Sequence, residues 1–334
     1  MRRIVRSLFI VLAALLAAPF SLLLSQWPAS DLRAHEGGLD FGRLDMQPPA
    51  SAAPLESWRA PDGERLGLRR YASGNPNAPL LVAIHGSGWH GLQFDGLGKR
   101  LAADGLADVL VPDLRGHGPN PSRRGDVDYI GQLEDDLAEL IKRNVREGQR
   151  VILLGHSSGG GLVVRFAGGR HAQRLDGAVL LAPYLGDDPA TTRPGSGGWA
   201  KTLDRRFIGL GMLNAAGITR FNGMTAVQFR FPAAILDGSL GHTTTRAYTF
   251  RMAVSYAPRL DLAADVKGLP PFLLVAGLQD EAFEARGYEP TLSASNPDGQ
   301  YHLLDGVGHL DVVDAEGTYA LLANWLVANR GREA

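Results

Sequence analysis

Val151-Ile152-Leu153-Leu154-Gly155-His156-Ser157-Ser158-Gly159-Gly160-Gly161 is the stretch that decides the fold. Its consecutive apolar residues read as a strand buried on both faces, the mark of a parallel sheet covered by helices. Gly155 to Gly159 follows at once as a G-x-S-x-G pattern, and Leu162, Val163 and Phe166 then open a helix. Alone, five residues of this kind are a weak signal in a chain with 42 glycines. On a strand-to-helix turn the signal is specific. The sharp turn forces Ser157 into a strained backbone, and the flanking glycines clear the space around it. The hydroxyl then stands above the sheet with a helix N-terminus aimed at it. The plain alternative is a glycine-rich turn that only packs a helix onto a sheet.

Working outward, the same buried-strand signature recurs at Leu80-Leu81-Val82-Ala83-Ile84, Val109-Leu110-Val111, Ala178-Val179-Leu180-Leu181 and Phe272-Leu273-Leu274-Val275. Pro61-Asp62-Gly63 between two short extended runs predicts an antiparallel hairpin over residues 58–72. Helices fall between the strands. Leu133, Leu137, Leu140 and Ile141 make an apolar stripe with Glu134, Asp135, Glu139 and Lys142 on the other face. Leu322, Trp325 and Leu326 mark a C-terminal helix. Strands alternating with helices give an α/β class: a mostly parallel sheet flanked by helices, its site beyond the carboxyl ends of the strands.

Before this body lies an address. Arg2, Arg3 and Arg6 precede Leu8 to Leu24, a run of 17 residues without a charge. Such a run reaches about 26 Å as a helix, slightly short of a hydrocarbon core. A cleaved signal peptide carries a shorter apolar stretch and a small-x-small cleavage site, which is missing before Trp27. Residues 1–27 are therefore read as an uncleaved membrane anchor, with a signal peptide and secretion as the alternative. The three arginines put the N-terminus inside and the body outside the cytoplasm. Residues 28–57, with Pro28, Pro48, Pro49 and Pro54, read as a flexible linker. The body then divides into a first core part (58–184), an inserted lid (185–262) and a second core part (263–334).

Composition excludes several classes. The 34 basic and 35 acidic residues leave a net charge of −1, so nothing in the whole chain argues for nucleic acid. The absence of cysteine removes disulfides, thiolate metal sites and a thiol nucleophile. There is no H-E-x-x-H, and no G-x-G-x-x-G opens a helix after a strand, so neither metal nor cofactor is expected.

On the elbow and its setting, residues 58–330, apart from the poorly matched middle, resemble the α/β-hydrolase family, in its monoacylglycerol-lipase and lysophospholipase-like branch grouped with the serine aminopeptidases. The resemblance implies a serine nucleophile, then an acid, then a histidine in chain order. Ser157 takes the first place by motif. Asp280, in Leu278-Gln279-Asp280-Glu281 after the Phe272–Gly277 strand, fills the acid position, with Glu281 its near rival. His309, in the loop Gly306-Val307-Gly308-His309, fills the base position. His85 and His156 belong to motifs in which the family uses histidine for loop structure, and His302 sits on a strand. The family's oxyanion loop corresponds to His85-Gly86-Ser87-Gly88, and the backbone amides of Ser87 and Ser158 are the expected donors. Asp113-Leu114-Arg115-Gly116-His117-Gly118 matches another signature, read as loop scaffolding.

These residues imply a serine hydrolase that cleaves carboxylic esters of a lipid or small molecule through an acyl-enzyme. A serine aminopeptidase and a non-catalytic binding protein of the same fold are the alternatives. The lid holds nine basic against five acidic residues, Arg205 and Arg206 among the former. That excess predicts either a preference for anionic lipid esters or a merely solvated surface.

Overall fold

The computed structural model describes residues 17–30, 32, 38–42 and 51–329. An eight-stranded sheet forms the centre, in the order β1-β2-β4-β3-β5-β6-β10-β11. β1 (Glu56–Arg59) and β2 (Arg65–Tyr71) make the expected antiparallel hairpin, and β2 lies antiparallel to β4 (Asp108–Pro112). From there every pairing is parallel, through β3 (Leu80–Ile84), β5 (Val151–His156), β6 (Gly177–Leu181), β10 (Phe272–Gly277) and β11 (Gly299–Leu304). β3, β5, β6 and β10 are buried along their whole length, which is why their sequences show no polar alternation.

Helices cover both faces: α1 (Asp95–Ala103), α2 (Gln132–Asn144), α3 (Ser158–Ala167), and others after the insertion. In α2 the buried set includes Leu133, Leu137, Leu140 and Ile141, the stripe read from the sequence. Close packing uses particular glycines. At Gly177 an added Cβ would meet the Trp325 ring at 2.8 Å, so the C-terminal helix seats its tryptophan in the notch that the missing side chain leaves.

Between β6 and β10, residues 185–262 build a separate layer. It holds a three-stranded antiparallel sheet of β7 (Ala200–Thr202), β8 (Thr225–Phe229) and β9 (Ala247–Thr249), with α4 (Asp204–Ala215) beside it. Four of its arginines are engaged by the core or by buried packing. Arg251 pairs with Asp126 at 2.6 Å, Arg259 with Glu134 and Asp265 at 2.6 and 2.7 Å, and Arg193 with Glu284 at 2.6 Å. Arg206 is buried and binds the carbonyls of Leu23 and Thr225 with its guanidinium over the Trp27 ring. The charge excess counted along the lid is thus largely balanced across the fold.

The apolar run Leu8 to Leu24 falls within the described residues only from residue 17 on. Residues 17–24 are helical and dock on α4, where Gly209 admits the backbone of Pro19 and Leu23 joins Leu210, Leu213 and Phe250 in a small core. Among the described residues no helix is long and apolar enough to cross a membrane. The described parts of the linker are also seated. Gln228 exchanges two 2.8 Å bonds with the backbone of Ala29, and Ala53 N–H donates to Asp95.

Candidate active site

β5 ends at His156, and the chain reverses into α3 through Ser157. Its backbone stands at φ 54°, ψ −124°, a region costly to any residue with a Cβ. The turn is fixed from both sides. Ser157 N–H donates to the Leu181 carbonyl at 3.0 Å, and Ser157 O accepts from Tyr184 N–H at 2.9 Å. An added Cβ on Gly159 would lie 2.2 Å from the Ile84 carbonyl oxygen, and one on Gly155 would lie 2.3 Å from that of Gly159. Both glycines of the motif are therefore imposed by backbone approach.

The hydroxyl meets two residues from distant loops. Ser157 Oγ lies 3.1 Å from His309 Nε2, and His309 Nδ1 lies 2.9 Å from Asp280 Oδ2. All three side chains are buried. The other Asp280 oxygen accepts the amides of Ala282 and Phe283 at 2.8 Å each. Burial pushes the Asp280 carboxyl up, but His309 and these two amides outweigh it, and the group rests below its ordinary range. An ionised Asp280 keeps the proton on Nδ1, which leaves Nε2 free to accept from the serine. The Phe283 ring holds the imidazole edge-on at 4.9 Å.

Glu281, the rival acid, does not reach the imidazole. Its carboxylate accepts the backbone N–H of His309 at 2.8 Å. His156 serves the loops. Gly86 N–H donates to Gln93 Oε1, Gln93 Nε2 donates to His156 Nδ1 at 2.8 Å, and His156 Nε2–H donates to the His309 carbonyl at 2.9 Å. Burial lowers His156 to about 3, so it stays neutral and can play this double part. Gln93 escaped the sequence reading, since no motif marks it.

The His85-Gly86-Ser87-Gly88 loop lies against the elbow, with a Cβ added on Gly86 only 3.3 Å from that of Ser157. The insertion pins this loop. Gly88 N–H donates to Tyr248 Oη and its carbonyl accepts from Thr245, while Tyr248 donates to His117 Nε2 and Trp199 Nε1–H donates to Ser87 Oγ. Among the described residues, neither the Ser87 nor the Ser158 amide is spent on a backbone bond within a turn or cap. Arg115 is a buried strut, bound at 2.8 and 3.0 Å to Asp136, as the scaffolding role requires. His302 lies within β11, opposite Val275.

Against Ser157 and His309 opens a cavity of about 380 Å³, walled largely by Phe41, Trp89, Trp199, Phe231 and Leu240. A polar end holds Asp95, Lys99 and Asp314.

The family model described as serine aminopeptidase, S33 matches residues 75–316. The chain belongs to that family, with the α/β-hydrolase fold expected from the sequence. An uncharacterized protein of Mycobacterium tuberculosis is 27% identical over 277 residues, 79% of this chain and 78% of that one. Among solved structures, a soluble variant of monoglyceride lipase from Saccharomyces cerevisiae matches with a TM-score of 0.61 at 18% identity, covering 84% of this chain and 96% of the other. A membrane phospholipase A matches with a TM-score of 0.57 at 16% identity, covering 99% of this chain and all of that one. Both structural likenesses speak for the fold.

Proposed function

We propose that this protein is a serine ester hydrolase acting on monoacyl lipid esters, monoacylglycerol or lysophospholipid, with its body held at a membrane outside the cytoplasm. The observation that carries the reading is the hydrogen-bonded row Ser157–His309–Asp280 opening into an apolar cavity. In the first step His309 Nε2 takes the Ser157 proton as Oγ attacks the ester carbonyl. The charge formed on the carbonyl oxygen is met by the amides of Ser87 and Ser158, reinforced by the α3 N-terminus. His309 returns its proton to the leaving alkoxide and the alcohol departs. Water, deprotonated by the same imidazole, then releases the acid. Asp280 stays ionised throughout, fixing the tautomer and stabilising the imidazolium.

The named neighbours support the substrate class, since one is a monoglyceride lipase and another a membrane phospholipase A. A serine aminopeptidase is the second reading, favoured by Asp95 and Asp314 at the polar end, where a protonated amine would be held. It ranks lower because Asp95 already accepts from Lys99 at 2.5 Å, Tyr71 at 2.8 Å and Ala53 at 3.0 Å. The test is a panel of acyl p-nitrophenyl esters, monoacylglycerols, lysophospholipids and aminoacyl anilides. Ester turnover without anilide turnover supports the proposal, and the reverse overturns it.

A further inference from the structure

Residues 38–42 precede the first strand of the hydrolase body, yet they pack at the Ser157 cavity. Leu39 and Phe41 line it and are half-buried there. The Phe41 ring lies 5.6 Å from Trp199 and 6.1 Å from Phe231, tilted at 47° and 49°. Trp199 is the residue that binds Ser87, so Phe41 stands one ring away from the oxyanion loop. The segment is fastened at the other side of the site as well. Asp40 N–H donates to Glu281 Oε1 at 3.1 Å, and the second oxygen of that carboxylate holds His309 N–H. Asp40 Oδ1 accepts Gly42 N–H at 2.8 Å, which sets the turn between the two contacts. The segment therefore reaches from the His309 loop to the aromatic wall.

We propose that residues 38–42 are a working part of the acyl-binding pocket and that Phe41 selects which acyl chains Ser157 accepts. The inference rests on the ester-hydrolase reading above. A short acyl group is accommodated beside Ser157, whereas a longer chain must run along the aromatic wall and touch the Phe41 ring. Aromatic rings in a pocket offer large apolar contact at little entropic cost, which makes them effective judges of chain length. The ring is also dispensable to the wall itself. Trp199 remains held by Phe229, stacked at 5.3 Å, and by Phe231 edge-on at 4.8 Å. Selectivity is thereby lodged in a segment that the hydrolase body does not contain.

The experiment compares the full chain with Phe41→Ala on p-nitrophenyl butanoate and decanoate. The expected result is a fall of about fivefold or more in the decanoate-to-butanoate ratio of kcat/KM. An unchanged ratio would reduce Phe41 to surface packing, and a uniform rise for both esters would make it a plug; either overturns the proposal. Labelling of Ser157 by a short-chain and a long-chain alkyl fluorophosphonate gives the same ratio without requiring ester turnover. A protein that hydrolyses neither ester refutes the proposed function. In that case a several-fold change in the labelling ratio still supports the role of Phe41, and an unchanged one refutes it.

Discussion

Replacing Ser157 by glycine and by alanine separates the strain at the elbow from the chemistry. At φ 54°, ψ −124° a residue with a Cβ is held against its preference, at a cost of about 1–3 kcal/mol. Both variants lose the bond to His309, so that contribution cancels between them. Alanine keeps the Cβ and the strain. Glycine sheds the strain but gives up about 0.5–1 kcal/mol in chain entropy. The balance makes Ser157→Gly the more stable variant by about 1 kcal/mol, opposite to the usual ranking of glycine below alanine. In a chain of this size that is a Tm difference of about 1–3 °C. Differential scanning fluorimetry of the full chain reads it directly, with denaturant titration followed by tryptophan fluorescence as the second measure. An alanine variant equal to or more stable than the glycine variant would refute the claim that the turn stores strain.

Asp280→Asn should lower kcat on the order of 10⁴-fold with the fold intact, because an amide donates where Nδ1–H must be accepted. Since Asp280 rests below the ordinary carboxylate range, its stabilising contribution is whole above about pH 4 and fades only as the pH falls through its lowered value. The Tm gap to Asp280→Asn should accordingly narrow in strong acid and not before. Gln93→Leu strands the Gly86 amide and His156 Nδ1, so it should cost about 1–3 kcal/mol of stability and at least about tenfold in kcat with KM little changed. A loss of stability with kcat preserved would make that chain of bonds scaffold only. Arg206→Ala should change the ratio of kcat/KM for an anionic over a neutral ester by less than about twofold, because the guanidinium faces Leu23 and Trp27 and not the cavity. A selective rise in KM for the anionic ester would show that it reaches substrate.

What the sequence disclosed follows from where its information is local. Leu80–Ile84 and Val151–Leu154 lie in fully buried strands, so burial is written into consecutive residues. The elbow combines a strand, two sterically required glycines and a helix within eleven residues. Asp280 and His309 were reached through chain order, and the fold brings both into one row with Ser157. Other features were illegible because their meaning depends on partners far along the chain. Nothing around Phe41 announces Trp199, and a proline-rich stretch reads as a tether whatever it rests upon. Gln93 acquires its place only when Gly86 and His156 converge on it. The lid's basic excess, counted alone, suggested a surface for anions, yet Asp126, Glu134 and Glu284 of the core answer three of those arginines.

The central claim, that Ser157 is the nucleophile activated by His309 and Asp280, is tested most directly by mapping where a fluorophosphonate attaches. Labelled full-length protein, digested and analysed by mass spectrometry, should carry one phosphonyl group on the peptide containing Ser157. Labelling should be abolished in Ser157→Ala and slowed by at least about a hundredfold in His309→Ala and Asp280→Asn. Attachment to another residue, or undiminished labelling of Ser157→Ala, would contradict the account.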